Sequence, residues 1–175
     1  MNTGLKPHQL SAAQAAAAIR SGDLSPVTLV EDLLRRIEEL EPMLQAWVTV
    51  DSEGALATAR ASEIELEKSG PRGPLHGVPV GLKDIFYTAG MKTTAGSKVY
   101  ADFVPDYDAT CVARLKDAGA IVLGKLNMHE LAAGITSISS LGGQTRNPYD
   151  PSRYPGGSSG GTGAAIAASF AAIGW

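Results

Sequence analysis

Two short segments carry side chains whose types and spacing could do chemistry. In Gly77-Val78-Pro79-Val80-Gly81-Leu82-Lys83-Asp84-Ile85-Phe86, a lysine follows an apolar run and is flanked by Leu82, Ile85 and Phe86. Such company disfavours an ammonium, and desolvation can lower a lysine pKa by up to ~3–5 units from about 10.4. A neutral lysine takes up a proton near pH 7, which is the work of a general base. The alternative is a snorkelling lysine paired with Asp84. In Pro155-Gly156-Gly157-Ser158-Ser159-Gly160-Gly161-Thr162-Gly163-Ala164-Ala165, glycines surround a pair of serines. They permit unusual backbone angles and the close approach of another chain segment. Adjacent hydroxyls leading into a helix N-terminus can bind an anion or orient developing negative charge. The other reading is a flexible Ser/Gly linker. The continuation into Ala164-Ala165-Ile166-Ala167-Ala168 weakens it, because a linker does not end in an apolar helix.

Several better-known patterns nearly match and fail on context. Gly119 to Lys125 has the spacing of a phosphate-binding loop, but Leu126 stands where a magnesium-binding Ser or Thr is required. Its middle residues also read as a hydrophobic strand rather than a cradle of exposed N–H groups. His129-Glu130 begins like a zinc-protease helix and has Ala133 where the second histidine belongs. His8, His76 and His129 have no ligand spacing, so a metal site is not expected. Ser158 and Ser159 each satisfy Gly-x-Ser-x-Gly, yet a proline-rich turn precedes them where a nucleophile elbow needs a strand.

The elements that must position these residues are legible in part. Ser11-Ala12-Ala13-Gln14 fits a capping box opening an alanine-rich helix that runs to Ser21-Gly22. Ser25-Pro26 offers an N-cap with proline at the first helical position, and Val27 to Leu40 keep helical spacing until Pro42. Ala46 to Val50 reads as a short strand and Ser52 to about Lys68 as another helix. The breaker-dense stretch Lys68 to Pro74 divides the chain into a mainly helical segment, residues 1–74, and an α/β segment, residues 75–175. In the latter, Gly77 to Leu82 reads as a buried strand, Asp108 to Ala118 as a helix and Ala120 to Leu123 as a strong strand. Met128 to Ala133 reads as a helical turn or two, and residues 142–157 as turns. Gly161 to Ala172 reads as a small-residue helix, apolar nearly all round and hence buried. The alternation predicts an α/β protein.

Composition bounds the rest. The 175 residues are 44% hydrophobic and 19% charged, enough apolar material for a sizeable core. Fifteen Lys and Arg against eighteen Asp and Glu give a net charge of −3, with no basic cluster of the kind that tracks phosphates. Nucleic acid is therefore not expected as a direct partner. Cys111, the single cysteine, excludes an intrachain disulfide and fits a reducing compartment. No apolar run reaches membrane-span length, and Met1-Asn2-Thr3-Gly4-Leu5 has no charged-then-apolar signal pattern. The expectation is a cytoplasmic globular protein.

Taken in order, these segments resemble the amidase signature family, the serine amidases with a Ser–cis-Ser–Lys triad. The likeness runs from about Leu24 to the last residue. It includes Gly81-Leu82-Lys83-Asp84, Pro105-Asp106-Tyr107-Asp108-Ala109-Thr110, Gly124-Lys125-Leu126-Asn127-Met128-His129-Glu130 and Asn147-Pro148-Tyr149-Asp150. The resemblance implies the amidase-signature fold, a mixed central sheet flanked by helices, of which this chain holds the N-terminal part. It implies a general base at Lys83 and a cis-serine at Ser158. Neutral lysine takes a proton from the cis-serine, which activates a second serine to attack the amide carbonyl and form an acyl-enzyme.

The family's nucleophile lies in a Gly-Gly-Ser segment further on than Trp175, so the 175-residue chain is expected to be a fragment, inactive alone and prone to associate through apolar surface. The resemblance also implies a small-molecule amide substrate, with Ala132, Ser158 and Ser159 in the binding region and small residues from Ala132 to Thr136 lining the acyl pocket. It implies no metal, nucleotide or organic cofactor. A homo-oligomer is compatible with it. Within the family the rival is the amidotransferase component that amidates misacylated tRNA. Its members usually carry a Ser-Thr-Glu-Asn-Ser-like run where this chain has Ile135-Thr136-Ser137-Ile138-Ser139-Ser140, which favours a stand-alone amidase. Outside catalysis, the rival is an amidase-like remnant serving as an interaction module.

Overall fold

The computed structural model describes residues 5–174. The N-terminal stretch inspected for a signal pattern, apart from Leu5, and Trp175 lie outside the described residues. Helix α1 (Ala12–Ser21) opens with the expected capping box: Ser11 Oγ accepts from Gln14 N, and Gln14 Oε1 accepts from Ser11 N. It closes on Gly22 in the left-handed region. Helix α2 (Pro26–Leu44) starts as expected, with Ser25 Oγ accepting from Val27 N and Thr28 N. It does not stop at Pro42. A proline in the final turn forfeits one helical bond and leaves the rest intact, and the helix ends instead at Gln45, φ 51°. The Glu41 carboxylate then accepts from Ala46 N (3.0 Å) and Trp47 N (2.8 Å), guiding the chain into β1 (Trp47–Val50). Burial pushes the Glu41 carboxyl up to about 7, against the pull of these two bonds.

After α3 (Ser52–Ser69) come β2 (Pro79–Lys83), α4 (Thr110–Asp117) and β3 (Ile121–Leu126). Two short strands, β4 (Ile138–Ser139) and β5 (Gly143–Gln144), pair antiparallel as a separate hairpin. Helix α5 (Gly160–Ala167) leads to β6 (Ile173–Gly174). The main sheet has the order β1-β3-β2-β6, with β1 antiparallel to β3 and the other pairs parallel. It is the mixed sheet the resemblance implied.

Alternation along the strands gives each face its own core. Ile121 and Leu123 join Ile19, Leu29, Leu33, Leu44, Trp47 and Phe170 in the larger cluster. Val80 and Leu82 pack with Val112 and Ala120 on the opposite face. Between them Gly81 leaves room that Trp47 and Leu126 occupy; a Cβ there would sit 2.8 Å from the indole and 2.7 Å from Leu126. Lys83 closes the strand.

Two further elements differ from expectation. Met128 to Ala133 holds a single 3₁₀ turn, Glu130–Ala132, because Leu131 (φ 53°) and Ala132 (φ 58°) both leave the right-handed region. The apolar run from Gly161 to Ala172 is not one buried helix. It divides into α5, a turn at Ser169 (φ 59°), and the lead into β6. Gly160, Gly161, Ala164 and Ala165 face inward, while Ile166 on the other side is 43% exposed. Hydrophobic residues that are all small give no periodicity from which to read a face.

Helix α5 is set by backbone approach. Gly161 N donates to Asn127 O at 3.0 Å, and a Cβ at Gly161 would lie 2.2 Å from that oxygen and 2.6 Å from Ala46 O. Further along the same helix, Gly163 faces open space. Gly161→Ala is therefore expected to destabilise the protein by ~1–3 kcal/mol through overpacking. Gly163→Ala should stabilise it by up to ~1 kcal/mol through helix propensity. Urea unfolding of the two variants checks both signs, and equal midpoints would contradict this account of α5.

Candidate active site

Strand β2 delivers Lys83 at its C-terminal end, and the turn before α5 delivers Ser158. The two are 75 positions apart in sequence, and Lys83 Nζ donates to Ser158 Oγ at 2.6 Å. The Gly157–Ser158 peptide is cis. The carbonyl of Ser158 is held in turn, accepting from His129 N at 2.9 Å. Lys83 is half-buried, and desolvation lowers its ammonium pKa from the ordinary lysine value. A short Nζ–Oγ contact with a lysine biased toward its neutral form is an arrangement for moving a proton between the two atoms.

The snorkelling alternative required Lys83 to pair with Asp84, and Asp84 makes its bonds elsewhere. Its carboxylate is buried and accepts from Thr94 N (3.1 and 3.2 Å), the Thr94 hydroxyl and Gly96 N (3.3 Å). Burial raises its pKa, and the bonds from Thr94 oppose the rise.

The cation buried most deeply is Lys125, on β3. It is 0% exposed, and its Nζ donates to Phe86 O, Thr88 Oγ1 (3.0 Å) and Thr93 Oγ1 (3.1 Å). Burial pushes its pKa down to about 8, partly offset by the carboxylates of Asp84 and Asp108. Lys125 and Asp84 together pin the loop that leaves Lys83. In sequence Lys125 reads as the end of a failed phosphate loop and as part of the 124–130 segment of the resemblance, with no role of its own. The signal that would have found it is the one used for Lys83, a lysine set in an apolar strand.

The remaining expected residues are placed as follows. Ser159 is exposed and precedes α5, making no side-chain cap bond. Ala132 is on the turn after His129, and its N–H donates to His129 O at 2.9 Å. That turn is anchored by Glu130, whose carboxylate accepts from Ser97 Oγ (2.7 Å) and Ser140 N (2.9 Å). The structure thus joins Lys83 and Ser158 directly, with Ala132 connected to them through His129. Among the described residues no group of His, Cys, Asp and Glu is placed to hold a metal ion, and no helix is long and apolar enough to cross a membrane. A cavity of about 470 Å³ bordered by Glu41, Gln45, Trp47, Lys92 and Thr94 includes neither Lys83 nor Ser158.

Residues 28–175 match the model of the family Amidase, and the chain belongs to that family. Over 161 residues it is 47% identical to a glutamyl-tRNA(Gln) amidotransferase subunit of Roseiflexus sp. strain RS-1, a match covering 92% of this chain and 33% of that protein. The amidotransferase subunit of the same name from Azoarcus sp. strain BH72 is 51% identical over 158 residues, covering 90% and 32%. Among solved structures, native peptide amidase from Stenotrophomonas maltophilia superimposes with a TM-score of 0.90 at 42% identity, covering 95% of this chain and 35% of that one. Fatty acid amide hydrolase gives a TM-score of 0.91 at 25% identity, covering 96% and 30%. The chain spans about a third of the length of the curated relatives it matches.

The Lys125 ammonium yields a pH prediction. Its folded pKa, about 8, lies below its ordinary value of 10.5, so between these limits the unfolded chain binds the additional proton. Stability then rises with pH across that window, as the cost of burying the charge is relieved. Lys125→Met should remove this contribution, so the difference in unfolding free energy between wild type and variant should widen from pH 8 toward 10. It should also destabilise the fold, since Phe86 O loses its partner. Denaturant titrations at several pH values measure the slope, and a difference independent of pH would refute a charged, buried Lys125.

Proposed function

We propose that this chain is the part of a carboxamide C–N hydrolase that holds the general base and the relay serine. The observation that carries the reading is the 2.6 Å contact between Lys83 Nζ and Ser158 Oγ, made by the two residues the amidase resemblance singled out. Neutral Lys83 takes the proton of Ser158 Oγ, and Ser158 Oγ takes the proton of a nucleophilic serine. That serine, in this reading, belongs to the portion of the relatives' length that the chain does not span. Its oxygen adds to the amide carbonyl carbon, the C–N bond breaks, and the proton returns through Ser158 to the leaving nitrogen. Water then cleaves the acyl ester by the same path. The substrate is a small-molecule amide, with Ala132 and Ser159 near the reacting group. The 175-residue chain alone is expected to be inactive. The chain's amidase relatives and single cysteine support a cytoplasmic setting.

A second reading, transfer of amide nitrogen within a tRNA-dependent amidotransferase, is favoured by the names of the curated relatives. It uses the same Lys83–Ser158 relay and differs in the fate of the released ammonia. The run Ile135 to Ser140, unlike the Ser-Thr-Glu-Asn-Ser-like run of the amidotransferase component, favours the stand-alone hydrolase.

Both readings are tested in the full-length protein. Lys83→Ala and Ser158→Ala should each lower kcat by ~10²–10⁴-fold, and the double variant should lose little more than the worse single one. Lys83→Arg should fail as completely as Lys83→Ala, because arginine does not deprotonate near neutral pH. Wild-type turnover in Lys83→Arg would overturn Lys83 as the base. Ammonia release from simple carboxamides without tRNA supports the hydrolase; activity seen solely with glutamyl-tRNA favours the second reading.

A further inference from the structure

We propose that Ser137 is a positioning residue that sets the Lys83–Ser158 contact by clamping the turn that carries Ser158. This rests on the relay reading above. Ser137 is fully buried and sits in the left-handed region, φ 56°, a conformation a side-chain-bearing residue adopts rarely. The hydroxyl so aimed bridges both ends of the serine turn. Ser137 Oγ donates to Gly156 O at 2.8 Å and accepts from Gly160 N at 2.8 Å. The carbonyl of Ser158 lies 3.5 Å from the same oxygen.

Gly160 is the first residue of α5, so its N–H has no partner within the helix. Ser159, the residue in the usual capping position, makes no cap bond with its side chain. Ser137 supplies the missing acceptor from 23 residues away. The turn is shaped around it. A Cβ at Gly160 would lie 2.2 Å from Ser137 Oγ, and one at Gly157 would lie 2.9 Å from it. The clamp is itself anchored, since Ser137 O accepts from Thr145 N at 3.2 Å and Thr136 O from Gln144 Nε2 at 2.6 Å. Residues 156 and 160 are therefore fixed to the β4–β5 hairpin, and Ser158 hangs between them. With Lys83 fixed by the sheet and the Ser158 carbonyl held by His129 N, the clamp at both ends of the turn completes the setting of the Nζ–Oγ distance.

The test uses Ser137→Ala and Ser137→Gly in the full-length protein, alongside Lys83→Ala. Both Ser137 variants remove the bridging hydroxyl, and glycine accepts the positive φ, so it keeps the test open where alanine does not fold. For the folded fraction, measured by near-UV circular dichroism, kcat should fall ~10–100-fold, the size expected for misplacement by about 1 Å. KM should stay within about twofold, since no substrate contact is removed. The acid limb of the kcat/KM profile should move to higher pH, as Lys83 loses its fixed neighbour and becomes better hydrated. A purely structural role would lower the melting temperature and leave kcat of the folded fraction and the acid limb unchanged; that result overturns the proposal. If Lys83→Ala is inactive while both Ser137 variants turn over normally, the relay stands and the clamp falls. If Lys83→Ala is active, the relay reading falls first.

Discussion

At the end of β3, the backbone and side chain of Asn127 join three pieces of chain that are remote from it in sequence. Its N–H donates to Ala46 O (2.8 Å), and its C=O accepts from Gly161 N (3.0 Å). Its Nδ2 donates to Gln45 O and Gly142 O, both at 3.1 Å, and its Oδ1 accepts from Met128 N and Ser139 Oγ. The entry to β1, the first turn of α5 and the β4–β5 hairpin thus share one buried anchor. Three of the routes that hold the Ser158 backbone pass near it: through α5, through the hairpin to Ser137, and through Met128 to His129. A buried amide left with any of these partners missing would bear the full cost of desolvation, so the group holds as a unit.

Lys83 and Lys125 show how one residue type takes two characters from its surroundings. They lie on neighbouring strands, paired in register with Leu126 and Leu82 respectively. Lys125 has three oxygen acceptors and the fields of Asp84 and Asp108 to compensate its burial. Lys83 has one hydroxyl, and desolvation is the cause of its lowered pKa. Burial outweighs these partners and holds the Lys125 pKa down at about 8, and its Nζ is committed to the loop oxygens. What separates Lys83 is its partner, a serine hydroxyl with which it can exchange a proton, while Asp84, its sequence neighbour, is engaged by Thr94 and Gly96.

The helices and the parallel strands were legible because their signals are local. Capping by Ser11 and Ser25, helical spacing from Val27 to Leu40, and apolar runs at Val80 and Ile121 need no knowledge of neighbours. The Lys83–Ser158 pairing was reachable through resemblance, since no local rule joins residues 75 positions apart. Other features escape local reading for physical reasons. Pro42 stays inside α2 because the last turn tolerates the lost bond. The division of the 161–172 run into helix, turn and β6 depends on Ser169 leaving the right-handed region, which alanine-rich sequence does not announce. Ser137 owes its role to burial, a property of the packed fold, and Lys125, though its apolar setting is legible, owes its acceptors Phe86, Thr88 and Thr93 to folding.

The glycine-rich segment can now be resolved residue by residue. Gly157, Gly160 and Gly161 are glycine for want of room: other atoms, from Ile135, Ser137, Asn127 and Ala46, occupy the space a Cβ would need. Gly156 has open space around it and is glycine for its backbone, φ 92°. Gly163 has neither constraint. Most of the motif's specificity is therefore steric, recording where α5 and its leading turn press against β3 and the 135–137 segment. In the proposed relay the chemistry of this segment falls to Ser158, which those contacts hold toward Lys83. A substitution at Gly157 or Gly160 would act on the Lys83–Ser158 contact without touching it, by displacing the turn on which Ser158 is carried.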